Sequence, residues 1–106
     1  MSGATGDIPV PGMIGLAKRA GAVVTGVPAV RQAIRDGRAR VVLTAKDASA
    51  GQLAKVEGIL AHRAVVRRTV GSMSALGEVV GKPPIAALAI TDEGFADAVL
   101  KKLEGL

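Results

Sequence analysis

Apolar positions in this chain switch repeatedly between a helical period and short continuous runs. Over residues 13–20 they fall at Met13, Ile14, Leu16, Ala17 and Ala20, a helical spacing, and Gly21 stands where a helix C′ residue belongs. Val23 and Val24 form a short strand candidate. Gly26 and Pro28 then open a second helix in which Val27, Val30, Ala33 and Ile34 share one apolar face, and Gly37 closes it. Residues 41–45 are continuously apolar apart from Thr44 and have the length of a buried strand. A third helix is predicted over 49–62 from the spacing of Leu53, Val56, Ile59 and Leu60, with a strand following over 64–67. Ser72 caps a short helix carrying Met73, Leu76 and Val80, which Gly81, Pro83 and Pro84 end. Residues 85–90 read as another buried strand. Asp92 caps a last helix that turns Phe95, Ala96, Val99, Leu100 and Leu103 inward, with Lys101 and Lys102 near its C-terminal end, where cations suit the dipole.

Helices alternating with continuous apolar strands imply an α/β fold, a three-layer α-β-α sandwich with a central four-stranded mixed sheet covered on both faces. Residues 13–106 form one domain in this reading, and the Gly, Pro and Ser content of residues 1–12 predicts a flexible lead-in. In such folds the loops leaving the carboxyl ends of strands gather on one rim and commonly hold the binding site. Those loops are residues 25–28, 44–49, 67–72 and 91–93, and three of the four are basic or begin a helix.

Charge sharpens the picture. The 106 residues carry a formal net charge of +5. From Lys18 to Arg68 the basic residues are opposed only by Asp36, Asp47 and Glu57, so the molecule is electrically lopsided and suits an anionic partner. With Phe95 as the single aromatic residue, the chain lacks the stacking platform of single-strand binders, so nucleic acid would be read by backbone, charge and shape. No cysteine is present, which excludes disulfides, thiolate metal sites and a cysteine nucleophile. No apolar run approaches the ~18 residues of a membrane span. Residues 1–12 lack the basic start and apolar core of a signal peptide, and a cytoplasmic protein is the expectation.

Candidate chemistry is sparse. His62 has no second metal ligand at a plausible spacing and reads as a solvated or dipole-favouring residue. Residues 77–82 have the glycines of a phosphate loop one residue too close together, Pro83 in place of Ser or Thr, and a position at the end of a helix. Asp92 and Glu93 are explained as a cap and a first-turn acid. No nucleophile with a base, metal cluster or glycine fingerprint marks an enzyme, and no cofactor or small-molecule substrate is expected. Arg35, Arg38 and Arg40 either track phosphates or form a solvated face. Of Arg67 and Arg68, which alternate across a strand end, Arg68 is the one expected at the rim loop.

Four stretches, residues 15–21, 26–37, 43–49 and 76–82 followed by 89–96, resemble the kink-turn RNA-binding ribosomal-protein superfamily, and most closely its small bacterial members. The resemblance spans about residues 12–103 in the family's order. It implies an α-β-α sandwich that grips a sharply bent RNA internal loop. The helix after the first strand would meet the RNA end-on, its first turn reading sheared G·A pairs, while the loop before the short fourth helix packs on an extruded nucleotide. By position Gly26 matches the glycine that lets backbone approach RNA, Val70 the apolar residue touching the extruded base, and Lys18, Arg19 and Lys46 phosphate-contacting positions. The family's Asn-Glu pair is replaced by Pro28 and Ala29, its later lysines by Gln32 and Met73, and Arg31 offers a substitute guanidinium.

The resulting expectation is a non-enzymatic, monomeric binder of structured RNA, ribosomal RNA among the candidates, with a ribosomal or translation-factor protein as a further partner. It would use Gly26, Val27, Pro28 and Arg31 at the helix start, Val70 and Ser72 in the clasping loop, and Lys18, Arg19, Lys46 and Arg68 on phosphates. The alternative is a protein-interaction or ribosome-assembly scaffold of the same fold without specific kink-turn reading, favoured by Val27-Pro28-Ala29.

Overall fold

A computed structural model describes residues 8, 9 and 11–105. The chain alternates α1 (Pro11–Arg19), β1 (Val23–Thr25), α2 (Val27–Arg35), β2 (Val41–Ala45), α3 (Ala50–Leu60), β3 (Val66–Val70), α4 (Met73–Val79), β4 (Ala87–Ile90) and α5 (Glu93–Glu104). The expected lead-in over 1–12 lies largely outside the described residues; of the rest, Ile8 is buried in the core, and Pro11 and Gly12 already belong to α1.

The strands form one mixed sheet in the order β1-β4-β2-β3. β4 runs antiparallel to both neighbours, whereas β2 and β3 are parallel. Hence β1, β2 and β3 all point one way, and β4 points back between them. β2 is buried along its whole length, so its apolar run feeds both faces. Val41, Leu43 and Ala45 join Leu88 and Ile90 of β4 beneath Ile14, Leu76 and Val99 of α1, α4 and α5. On the other face Val42 packs with Ala87 and Ala89 beneath Val30, Ala33, Ile34 and Val56 of α2 and α3. This is the expected three-layer α-β-α sandwich with a four-stranded mixed sheet.

Local signals act as the sequence predicts. Ser49 forms a reciprocal capping box with Gln52, while Ser72 and Asp92 accept from the amides of Ala75 and Phe95. Gly77 is buried in α4, and a Cβ there would collide with the carbonyl of Pro83, so the turn around Pro83 and Pro84 closes on the helix only over a glycine.

Three expectations need correction. β3 covers Val66–Val70, whereas the sequence places a strand over 64–67; β3 pairs only with β2, from Val41↔Val66 to Ala45↔Val70, so its extent follows β2 and not its own apolar run. α3 ends at Leu60, leaving His62 exposed beyond it. The loop over 91–93 does not share a rim with the other three, because β4 is antiparallel and delivers its carboxyl end to the opposite side.

Candidate nucleic-acid interface

Three strand ends and the start of β4 meet on one rim and are fastened together by main-chain bonds. The amide of Gly26 donates to the Ala87 carbonyl at 2.9 Å, that of Ala45 to Ala86 at 2.8 Å, and that of Lys46 to Gly71 at 2.9 Å. Asp47 adds a side-chain tie, accepting from the Met73 amide at 2.7 Å and so joining the loop after β2 to the start of α4. The Ile85 amide closes the set by donating to the Met73 carbonyl at 3.1 Å. Gly26 and Ala87, far apart in the chain, are thereby held in one line with Lys46 and Gly71.

The start of α2 is the distinctive part of this rim. Gly26 is its N-cap at φ 90 and ψ 150, a region that residues with a Cβ hardly enter, and no side chain caps the helix. The first bond inside the helix runs from the Val30 amide to the Gly26 carbonyl at 2.9 Å. Pro28 has no N–H, so the amides of Val27 and Ala29 are the donors left at this end. α3, α4 and α5 all satisfy that requirement with a Ser or Asp side chain. At α2 the positive end of the helix is open to an anion. Pro28 is exposed, while Val27 and Ala29 are half-buried, with Val27 packed against the α2/α3 core.

Arg31 follows Val27 by one turn, and the Cα–Cβ bond of a helical residue tilts toward the N-terminus, so its side chain starts toward this rim. It is half-buried, and its Nε is buried with no hydrogen-bond partner among the described residues. Lys46 is exposed next to the Gly71 carbonyl, and Ser72 is half-buried with its Oγ occupied by the Ala75 amide.

The structure thus brings Gly26, Val27, Pro28, Arg31, Lys46 and Ser72 to one side, keeps Val70 buried beneath that rim, and leaves the other three elsewhere. Val70 ends β3 at 6% exposure, packed in the core and aligned with Ala45, so little of its apolar surface is open. Arg68 stands mid-strand, aligned with Leu43; it donates to the Arg67 carbonyl and pairs with Glu104 of α5 at 3.9 Å. Its expected rim position fails because β3 starts two residues late. Lys18 and Arg19 close α1, whose chain turns through Ala22, the acceptor for the Thr91 amide, into β1. They lie at the Thr91 rim, one strand length, roughly 13 Å, from Gly26. Asp47 and Gly71 are the residues that sequence reasoning missed. Their partners are more than 20 positions away, and no local pattern announces such a bond.

The sequence profile described as the Ribosomal protein L7Ae/L30e/S12e/Gadd45 family matches residues 10–100, nearly the whole described chain. The chain belongs to this family. Among curated relatives, the RNA-binding protein YlxQ of Bacillus subtilis (strain 168) is 37% identical over 92 residues, covering 87% of this chain and 92% of its own. The RNA-binding protein YlxQ of Enterococcus faecium is 33% identical over 93 residues, covering 88% and 89%. Among solved structures, a protein of unknown function from Bacillus halodurans C superposes with a TM-score of 0.83 at 24% identity, covering 89% of this chain and 95% of that one. The Giardia lamblia 15.5kD RNA binding protein does so with a TM-score of 0.74 at 19% identity, covering 92% and 86%. At those identities the two structures support the L7Ae-type fold alone.

Proposed function

We propose that this L7Ae-family chain is a non-enzymatic RNA-binding protein that receives structured, kink-turn-like RNA on the rim made by the start of α2 and the loops around Lys46 and Ser72. The observation that carries this reading is the glycine-capped, side-chain-free N-terminus of α2, facing outward on a rim with exposed Lys46 and with Arg31 behind it. Open amides and the helix dipole receive a phosphate, and Gly26 removes the Cβ that would keep RNA backbone at a distance. Both YlxQ relatives are RNA-binding proteins by name, which supports the same partner here. Ribosomal RNA and a ribosomal or translation-factor neighbour are the partners this reading favours, in the cytoplasm.

The test is a salt-series titration of a standard kink-turn RNA and an unkinked duplex of equal length, with Arg31→Glu alongside. A preference for the kinked RNA of about tenfold, or about 1.4 kcal/mol, that disappears in the variant supports the reading. Engagement of three or four phosphates gives a log–log salt slope of about −3 to −4; a slope near zero counts against it.

One observation favours the scaffold alternative. Pro28 and Ala29 offer no polar side chain, and Val70 is 6% exposed, which counts against base reading at those positions. In that case RNA affinity is weak, equal for both RNAs and abolished by salt.

A further inference from the structure

Apart from Arg19 at the end of α1 and Arg31 behind the Gly26 rim, the arginines fall into two groups. Arg38, Arg67 and Arg68 have acidic partners in Asp36, Glu57 and Glu104. Arg35, Arg40 and Arg63 have none among the described residues, and all three line one open depression of about 300 Å³ with Ile34, Gly37, Ala39 and Val65. It lies where α2 and α3 end and where β2 and β3 begin, which is the side of the sheet away from Gly26. α2 separates the two places by its length, about 12 Å.

The backbone that carries these arginines is fixed. The Arg38 and Ala39 amides both donate to the Ala33 carbonyl, Ala39 is 5% exposed, and the Arg40 amide donates to Ile90 at 2.8 Å. Two of the guanidiniums spend one donor each on local groups, Arg35 on the Gln32 side chain and Arg63 on the Ile59 carbonyl at the end of α3. Each keeps its remaining donors of the five a guanidinium carries. Asp36 is occupied by the Gln32 amide at 2.8 Å and by Arg38 at 3.6 Å, and Glu57 of α3 by Arg67 at 3.1 Å; Asp92, whose carboxylate caps α5, and Glu93 follow the β4 end to which the Arg40 amide is bonded, and Lys18 and Arg19 lie at that same rim. The C-terminal ends of α2 and α3 carry about half a negative charge each, which steadies the arginines without neutralising three of them. Fold stability does not need three like charges around one concave, partly apolar floor.

We propose that this depression is a second RNA contact, taking backbone phosphates of a segment other than the one on the Gly26 rim, so that the protein holds two RNA segments at opposite ends of α2. Each guanidinium can meet phosphate oxygens in bidentate fashion, and the lining side chains include no aromatic or amide group for reading bases, so the contact is insensitive to sequence. For the identity of the anion the inference rests on the RNA-binding reading above; its location does not.

The experiment is an amide chemical-shift titration of the ¹⁵N-labelled full chain with a short unkinked RNA duplex, a kink-turn RNA and pyrophosphate, at about 50 mM salt. Wild type, Arg40→Glu and Arg40→Lys are compared. The expected result is that RNA shifts the amides of residues 37–40 and 63–65 as a set distinct from the 26–29 set, which is Gly26, Val27 and Ala29 because Pro28 has no amide. Arg40→Glu weakens that set about tenfold and leaves the 26–29 set in place, and Arg40→Lys restores part of the loss. Shifts confined to 26–29 overturn the second contact and leave the proposed function standing. Shifts confined to 37–40 and 63–65 support the second contact and remove the Gly26 rim as the RNA site. No response to either RNA overturns both, and a response at the depression to pyrophosphate but not to RNA overturns RNA as its ligand. Failure of Arg40→Glu to change the response at 37–40 also overturns the assignment, and preserved amide dispersion in Arg40→Glu separates a local loss from misfolding.

Discussion

Restoring the pair of polar side chains at the head of α2 should separate base reading from general attraction for phosphate. In Pro28→Asn/Ala29→Glu the two new side chains occupy the second and third positions of the helix, one exposed and one half-buried. Their effect on folding is small and of known sign. An acid in the first turn contributes about 0.3–1 kcal/mol through the helix dipole. Losing proline's restriction of the unfolded chain costs about 0.4–1 kcal/mol, so the variant remains close to wild type in stability. RNA binding, in contrast, should move in opposite directions for two ligands. For an unkinked duplex the added carboxylate cancels about one phosphate contact, so affinity falls and the salt slope shrinks by about 0.9. For a kink-turn RNA, edge contacts worth about 1–3 kcal/mol offset that loss, and the ratio of the two affinities rises at least about fivefold. Fluorescence anisotropy with both RNAs across a salt series measures the ratio, and a urea melt verifies the fold. If both affinities fall in parallel, the head of α2 does not face the bases, and the rim has been assigned to the wrong part of the RNA.

Two further outcomes follow from the same rim. Gly26→Ala meets no obstacle, since the nearest atom to its new Cβ is Pro28 Cδ at 4.0 Å; the penalty is therefore all backbone, about 1–3 kcal/mol, and thermal unfolding should drop by several degrees, whereas an unchanged melt would mean the φ of 90 is not obligatory. Asp47→Ala removes an acid from a rim meant for RNA, so charge alone predicts tighter binding; loss of the 2.7 Å bond to Met73 instead predicts about 1 kcal/mol less stability, faster exchange of the Met73 amide and weaker binding, and a gain in RNA affinity would show that the tie does not organise the rim.

What the sequence made legible was whatever depends on neighbours within one or two turns. Ser49, Ser72 and Asp92 announce helix starts because a cap acts over three residues, and the run at Val41 announces a buried strand because both faces of β2 are covered. What it concealed depends on partners elsewhere in the chain. The reversal of β4 moves the loop at 91–93 to the other rim, and nothing in residues 85–90 encodes direction. β3 takes its limits from β2, which drew Val70 into the core and set Arg68 against Glu104. Lys18 and Arg19 resemble phosphate ligands by position in the family, yet they close a helix that ends beside the start of β1. Resemblance carried the fold, and strand direction decided which basic residues share a side with Gly26.

The two faces of β4 explain why α2 can serve as a fixed bar between two anion-attracting ends. Leu88 and Ile90 fill the side covered by α1, α4 and α5, whereas Ala87 and Ala89 line the side beneath α2 and α3. Small side chains let a helix lie close to the sheet, and where β1 passes into α2 the Gly26 amide continues the β1–β4 ladder by donating to the Ala87 carbonyl. At its other end the Arg40 amide is bonded to Ile90, three residues along the same strand. Both ends of α2 are thus referenced to one buried strand, with Val30, Ala33 and Ile34 at or below 1% exposure between them. A packed core of that kind does not deform continuously. The orientation of an anion at the Gly26 rim relative to one at Arg35, Arg40 and Arg63 is therefore set by the protein, so two RNA segments held there would have to conform to its spacing.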